Sequence, residues 1–376
     1  MLAGQAIVNM AARCVLAIYV HDLNPVIFEI TDSIKLRWYG FAYLLAFVAG
    51  YLLLKWMGDK KLWVLPGKVA GDFIAYAAVF GVFLGGRIGN VLIYQREELM
   101  NDPLVIFRVW EGGMASHGGI LGLLIFTFVY ARMKKVSWTA LGDGLCVVAP
   151  LGIMFGRLAN FINGELYGRV DKTFAWAMKF PNALWDKNTV EGTKPNLTQA
   201  AAARADKGGE YTQYYDQMIE GSDAYFDGAL KEGTAEYEAY AALMSRKAEM
   251  LNKAVRENPE VKDAVAYYLE PRYPSQLFQA ALEGLLLFLI LFVMRVKFPK
   301  LAHGVLTGLF FIFYAIFRIS MENFREPETA NLMLLGTEWT MGQFLSLFMI
   351  AIGLAFILGA KLRVKKGTLL HCTQQA

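Results

Sequence analysis

The sequence predicts an all-α fold: a polytopic transmembrane helical bundle of seven spans, with the N-terminus outside, the C-terminus cytoplasmic and an external, mostly helical insertion. Three observations predict it. Of the 376 residues, 56% are hydrophobic and only 19% charged, against ~45 to 50% apolar and ~25% charged in a soluble domain. The apolar surplus is gathered in uncharged stretches of about twenty residues, the length that crosses ~30 Å of hydrocarbon at 1.5 Å rise per residue. Cations crowd alternate connections between those stretches. Such a chain is neither a secreted disulfide scaffold nor a disordered chain nor a soluble nucleic-acid binder, so no nucleic-acid partner is expected.

Taken in order, residues 1–35 form an external interfacial segment. Its first twenty residues are apolar but interrupted by Asn9 and Arg13, with no basic stretch ahead of the apolar part, which argues for an amphipathic surface segment and against a cleaved signal peptide. The membrane domain then runs over 36–182, with spans Leu36 to Met57, Phe73 to Tyr94, Gly113 to Ala131 and Leu141 to Asn163. Residues 183–271 are rich in Ala, Glu, Lys and Tyr, with helical spacing around Ala229 to Glu257, and read as the external insertion. The membrane domain resumes over 272–362 with Ser275 to Met294, Gly304 to Phe324 and Met341 to Leu362, and 363–376 is a cytoplasmic tail.

The orientation comes from charge. Fourteen Lys and Arg lie at the first, third and fifth inter-span connections and in the tail, among them Lys60, Lys134, Lys300 and Lys365. Six lie on the opposite side when the insertion is left out. The richer side faces the cytoplasm by the positive-inside rule. The net charge of +4 divides unevenly, because 183–271 holds sixteen acidic and ten basic residues, a net −6, which leaves +10 for the rest. The three cysteines, Cys14, Cys146 and Cys372, form no even framework, and no disulfide is expected.

Ionisable groups at membrane depth are costly, so each is a candidate for function. His117 stands at the outer end of the third span in G-G-M-A-S-H-G-G-I-L-G, and Arg157 and Asn160 near the outer end of the fourth in G-R-L-A-N-F-I-N-G-E-L-Y-G-R, which also holds Glu165 and Gly168. Tyr314, Arg318, Glu322 and Arg325 descend the outer half of the sixth at spacings of four, four and three, one helical face. Tyr39 opens the first span, and Ser275 and Gln276 open the fifth. Singly, each has a plain explanation. Arg318 and Glu322 can neutralise each other, Arg325 can snorkel, His117 can pack, and the flanking glycines can simply let helices approach. Their convergence on one side of the bilayer favours a common site. A short internal echo, F-L-G-G-R-I-G-N and I-M-F-G-R-L-A-N, matches Arg87 and Asn90 to Arg157 and Asn160 and adds Arg87 as a second cationic point.

Arginines beside a cavity open to lipid suit an anionic headgroup, since guanidinium forms bidentate bonds to phosphate and stays charged. His117 supplies a base near neutrality. The sequence has no G-x-S-x-G elbow, no H-E-x-x-H and no Cys pair, so no metal or cofactor is expected. Glu283 is the one charge noted in the inner halves of the spans.

In this order, H-G-G, G-R-L-A-N-F-I-N-G-E-L-Y-G-R, R-Y-P-S-Q-L-F and Y-A-I-F-R-I-S-M-E-N-F-R-E-P resemble the phosphatidylglycerol-prolipoprotein diacylglyceryl transferases of bacteria. The resemblance covers nearly all of the chain outside 183–270. It implies transfer of diacylglyceryl from phosphatidylglycerol to the lipobox cysteine of a preprolipoprotein, releasing glycerol phosphate, in the cytoplasmic membrane with the active site toward its outer face. It further implies catalytic roles for His117, Arg157, Arg318, Tyr314, Glu322 and Glu165, and substrate contacts from Tyr39, Asn160 and Gly168, to which the reading of the span ends and the internal echo adds Arg87, Ser275, Gln276 and Arg325. A monomer is expected. Departures from the family pattern stand at Ala159, Tyr167 and Tyr273. The rival from another class is a transporter for an anionic solute, which would carry polar residues through the full depth of the bundle.

Overall fold

The computed structural model describes residues 18–29, 31, 35–108, 113–185, 248–249, 251–326 and 340–365. The amphipathic segment expected over the first residues, most of the insertion, Cys14 and Cys372 lie outside them. Eight helices account for most of the described chain: α1 Trp38–Asp59, α2 Gly67–Tyr94, α3 Ser116–Met133, α4 Trp138–Asn163, α5 Pro259–Tyr268, α6 Ser275–Lys297, α7 Val305–Glu322 and α8 Met341–Lys365. Six of them, α1, α2, α4, α6, α7 and α8, are long and apolar enough to cross a membrane.

The expected third span is not among these six. Gly113 has a φ of +77° and lies ahead of the helix, which begins only at Ser116, so the apolar run shrinks to His117–Met133. The 18 residues of α3 rise roughly 27 Å, just under the hydrocarbon thickness. The all-α expectation also needs a correction near the N-terminus. Val26–Glu29 (β1) and Lys35–Arg37 (β2) pair as an antiparallel ribbon with Glu29 opposite Lys35. Pro25 precedes Val-Ile-Phe, residues that favour a pleated surface and are too few for a helix.

The described residues fall into two compact units, one within Met1–Tyr39, Ala159–Leu277 and Phe324–Glu326, the other within Gly40–Leu158, Phe278–Asn323 and Pro327–Ala376. The second is the helical unit. Its core gathers Leu54, Met57, Trp63, Phe73, Leu141, Leu287, Leu291 and Leu306. In lipid, helices associate through close packing and polar contacts, because the tails outside are as apolar as leucine. α2 and α3 show this directly: a methyl added at Gly85 would lie 2.6 Å from the Gly118 carbonyl oxygen, and one at Gly89 would lie 2.6 Å from Gly118 Cα. Backbone meets backbone there, and only glycine fits. Both α2 and α6 pass through a seven-residue π-helical stretch, Ala77–Phe83 and Ala280–Leu286, a departure from the α-helix that is frequent at functional positions.

The spans hold a buried charge that the sequence reading passed over. Asp143, in the second turn of α4, is completely buried. Its carboxylate accepts the Gly304 and Thr307 N–H groups, each at 2.8 Å, and the Thr307 hydroxyl at 2.8 Å. These are the free N–H groups at the start of α7, where water is not available to bond them. Asp143 is therefore a cap supplied by another helix, which is why nothing in the sequence around α7 announces it.

The smaller unit has its own core of Val20, Tyr167, Phe180, Val255, Val261, Val265 and Leu269. The last four come from residues 251–269, which include α5 and close the insertion. Isolated bridges tie it further: Val20 to Lys179, Gly168 to Arg325, and Arg272 to both Val170 and Met178.

Replacing Asp143 by Ala leaves two backbone donors and one hydroxyl unbonded in an apolar interior. The expected loss is about 2 kcal/mol, seen as a lower thermal midpoint of the detergent-solubilised protein, with Thr307→Val costing less because both backbone bonds to Asp143 survive.

Candidate active site

The smaller unit holds Tyr39, Asn160, Glu165, Gly168, Ser275, Gln276 and Arg325. Most of these are drawn together by the turn that follows α4. Gly164 has a φ of +67°, and Leu166 one of +55°, a left-handed backbone that costs a leucine about 1 to 2 kcal/mol. Side chains from the start of α6 hold this turn in place. Gln276 Nε2 donates to the Glu165 carbonyl at 2.7 Å, and Ser275 Oγ donates to the Leu166 carbonyl at 3.1 Å. The Glu165 side chain is fixed from α4 instead: Asn160 Nδ2 donates to its Oε1 at 2.8 Å and Asn163 Nδ2 at 3.4 Å. Asn160, Glu165, Ser275 and Gln276 thus form one connected polar group whose visible product is a half-buried carboxylate in a set orientation.

Gly168 and Arg325 meet through the backbone. The Gly168 N–H donates to the Tyr273 carbonyl and the Arg169 N–H to the Phe324 carbonyl, each at 2.9 Å. A methyl on Gly168 would run into the Phe324 carbonyl oxygen and lie 2.7 Å from Tyr273 Cβ. Arg169 Nε donates to the Arg325 carbonyl at 3.0 Å. Arg272 completes the arrangement. It is 1% exposed, donates from Nη1 to Glu326 Oε2 at 3.0 Å and to the Gly168 carbonyl at 3.2 Å, and lies over the Tyr167 ring. Tyr167, one of the departures noted above, also stacks on Phe180, and Tyr273, another, donates its hydroxyl to Asp171. Tyr39 is half-buried in the first turn of α1.

The helical unit holds the other candidates. Arg157 on α4 faces Glu283 on α6 at 3.8 Å. Arg318 Nη2 pairs with Glu322 Oε2 at 3.3 Å along α7, with side chains 13% and 8% exposed. Arg318 Nη1 is buried and has no hydrogen-bond partner among the described residues. A methyl at Gly342, at the start of α8, would lie 3.1 Å from Glu322 Oε2 and 3.2 Å from Arg318 Nη2, so α8 closes tightly over the pair. Tyr314 stacks its ring on Phe310, one turn back. His117 is exposed in the first turn of α3. Arg87, 2% exposed, donates to the Ile106 carbonyl at 3.3 Å and the Val105 carbonyl at 2.5 Å, so at least these two of its bonds fasten the connection that follows α2.

Sequence reasoning missed Arg272 as a candidate. Its signal was position: a cation three residues ahead of a span, inside the motif R-Y-P-S-Q-L-F. It left Glu283 without a role, since a partner on another helix has no spacing rule. Among the described residues no group of three or more His, Cys, Asp or Glu could hold a metal ion.

Electrostatics outside the spans follow from contacts. The Tyr273 hydroxyl, aided by Thr173, pulls the Asp171 carboxyl down to about 2. Burial lowers His21, which stacks on Phe180 and meets Phe161 edge-on, while the Phe161 backbone and Asp22 oppose that shift.

Residues 25–359 match the model of the family described as prolipoprotein diacylglyceryl transferase. The chain is 37% identical over 346 residues to the phosphatidylglycerol–prolipoprotein diacylglyceryl transferase of Bdellovibrio bacteriovorus, covering 89% of this chain and 92% of that one. It is 33% identical over 348 residues to the proteins of the same name from Shigella boydii serotype 4 and Escherichia coli O1:K1, covering 91% of this chain and 95% of each relative.

His21 gives the smaller unit a pH signature. Its folded pKa lies below the unfolded value of ~6.5, so the contribution is complete above that pH and is lost as pH falls, when the unfolded chain takes a proton that the folded one refuses. Stability should fall by up to about 1.4 kcal/mol per pH unit just below pH ~6.5, and His21→Gln should flatten this slope in pH-dependent thermal unfolding. Asp22, whose pKa is depressed, acts only in the lower carboxylate range.

Proposed function

Because the chain belongs to the prolipoprotein diacylglyceryl transferase family, and is a transferase of lipoprotein biosynthesis, we propose that it moves the diacylglyceryl group of phosphatidylglycerol to the lipobox cysteine of a preprolipoprotein. The cysteine sulfur attacks the glyceryl carbon, a C–S bond forms as the C–O bond to phosphate breaks, and glycerol phosphate leaves. The thiol, with a reference pKa of ~8.5, needs a base to become the nucleophile. His117, exposed at the start of α3 and so reachable by a peptide, takes that proton.

The observation that carries this reading is Arg318. Its guanidinium is nearly buried, one nitrogen is spent on Glu322, and Nη1 is left with no acceptor among the described residues. An unmet cationic donor inside an apolar bundle is costly, and an anionic lipid headgroup is the ligand that would satisfy it. Arg157 is the second phosphate contact, and together the two arginines stabilise the charge on the leaving phosphate. Glu322 orients Arg318 and Tyr314 donates a hydrogen bond; in the smaller unit Tyr39 and Gly168 are carried as substrate contacts by their match to the family motifs, and Arg325 by its place in the motif Y-A-I-F-R-I-S-M-E-N-F-R-E-P. Asn160, Ser275 and Gln276 act through the turn that holds Glu165. Arg87 serves by holding the connection after α2.

The membrane arrangement follows from charge. With α3 as the short span there are seven, the N-terminus is outside and the C-terminus cytoplasmic, the site faces the outer side of the bacterial cytoplasmic membrane, and 183–271 is external. The transporter alternative predicts polar residues through the full depth of the bundle; Asp143, one that lies within a span, is accounted for as a helix cap.

Purified protein given phosphatidylglycerol and a lipobox peptide should yield diacylglyceryl thioether peptide and glycerol phosphate, read by mass spectrometry; no product would refute the reading. Arg157→Lys keeps the charge but loses the fork, and turnover should drop about 100-fold in a folded protein. His117→Gln should keep the fold and lose most of the rate, and a normal rate would remove His117 as the base. For topology, in a cysteine-free background, Thr173→Cys should react with a membrane-impermeant maleimide in intact spheroplasts, and Lys134→Cys only after lysis.

A further inference from the structure

Glu283 is a fully buried carboxylate in the middle of α6, and the reading above assigns it nothing. It sits in the π-helical stretch Ala280–Leu286, where a local change in winding re-aims side chains. Its neighbour Gly284 sets the depth of the contact with α4: a methyl there would lie 2.6 Å from Met154 Cβ and 2.8 Å from Met154 Cα. Met154 and Arg157 are three residues apart on α4 and share a face. The same close approach that needs glycine at 284 therefore carries Glu283 to Arg157.

The separation of 3.8 Å is informative. It is too long for the bidentate fork, whose N···O distances run near ~2.8 Å, yet well inside the range of a strong Coulomb interaction in a bundle with little water. Glu283 thus offsets the charge of Arg157 without forming that fork, so the guanidinium keeps hydrogen-bonding capacity for another oxyanion.

We propose that Glu283 is a positioning residue: a buried counter-charge that holds Arg157 in place and weakens its grip on phosphate, so that glycerol phosphate is released after transfer. This rests on the assignment of Arg157 to the phosphate. Arg157 alone would hold substrate and product anions alike, and holding both tightly does not help turnover. A counter-charge lowers both affinities and leaves the geometry intact.

The test uses the full chain in detergent, with glycerol phosphate binding followed by calorimetry and diacylglyceryl transfer followed separately. Glu283→Gln keeps the shape and removes the charge. It should bind glycerol phosphate about tenfold more tightly and show a lower kcat with a lower KM for phosphatidylglycerol. In an Arg157→Gln background, which removes the cation that Glu283 faces, the same substitution should change binding by much less, since its effect passes through the charge of Arg157. Unchanged or weaker glycerol phosphate binding in Glu283→Gln, or an equal effect in both backgrounds, would overturn the proposal. If Glu283→Gln does not fold, Glu283→Asp, which keeps the charge but sets it back by one methylene, should show a smaller shift in the same direction, and no shift would overturn it. A wild-type protein that binds glycerol phosphate but transfers nothing would refute the transferase reading while leaving the binding comparison to decide the role of Glu283.

Discussion

A charged or hydrogen-bonding group among apolar helices has no water to turn to, so the protein itself must supply each partner. Much of the architecture follows from that constraint. Asp143 bonds the open N–H groups at the start of α7. Arg87 bonds the carbonyls of the connection after α2. Arg157 is set against Glu283, and Arg318 against Glu322. In the smaller unit, Arg272 does the same for Glu326 and the Gly168 carbonyl. Buried ion pairs of this kind add little net stability, because desolvation offsets most of the attraction, but removing one member is expensive. Their value lies in fixing geometry.

Fixed geometry is what a phosphate-leaving reaction requires, since the protein's contribution is to place donors where charge develops. The left-handed Leu166 shows how such placement is held locally. Its strained backbone is clasped by Ser275 and Gln276 from the start of α6, while Asn160 and Asn163 hold the carboxylate of Glu165 from α4. Four short polar side chains therefore define one acidic group. The close packing of α2 on α3 and of α6 on α4 works similarly in the helical unit, where glycine lets backbones come near enough for polar side chains to meet.

Elements governed by composition along the chain were legible. Six long helices fall within a few residues of the apolar stretches, and the motif residues stand at helix ends and in the adjoining turns. The third span was overextended because Gly113 was counted with the apolar run, although its positive φ keeps it out of the helix. The ribbon of β1 and β2 escaped notice because it is too brief to give a periodic pattern. Ser275 and Gln276 were picked out as polar residues opening a span, but that they bond carbonyls more than one hundred positions earlier depends on how the chain folds back.

By itself, then, the sequence determined the helical membrane class, the approximate bounds of six spans and, through four motifs, the family. These depend on hydrophobic length, local spacing and residue type, which are properties of the chain in one dimension. Only the tertiary structure decided which charge answers which: that Asp143 caps a helix begun 162 residues later, that Glu283 is the counter-charge of Arg157, and that Arg272 secures the turn at Gly168. Partners on different elements carry no signature in the spacing of either, because Coulomb attraction and hydrogen bonding act through space, and only packing determines which side chains come within their reach.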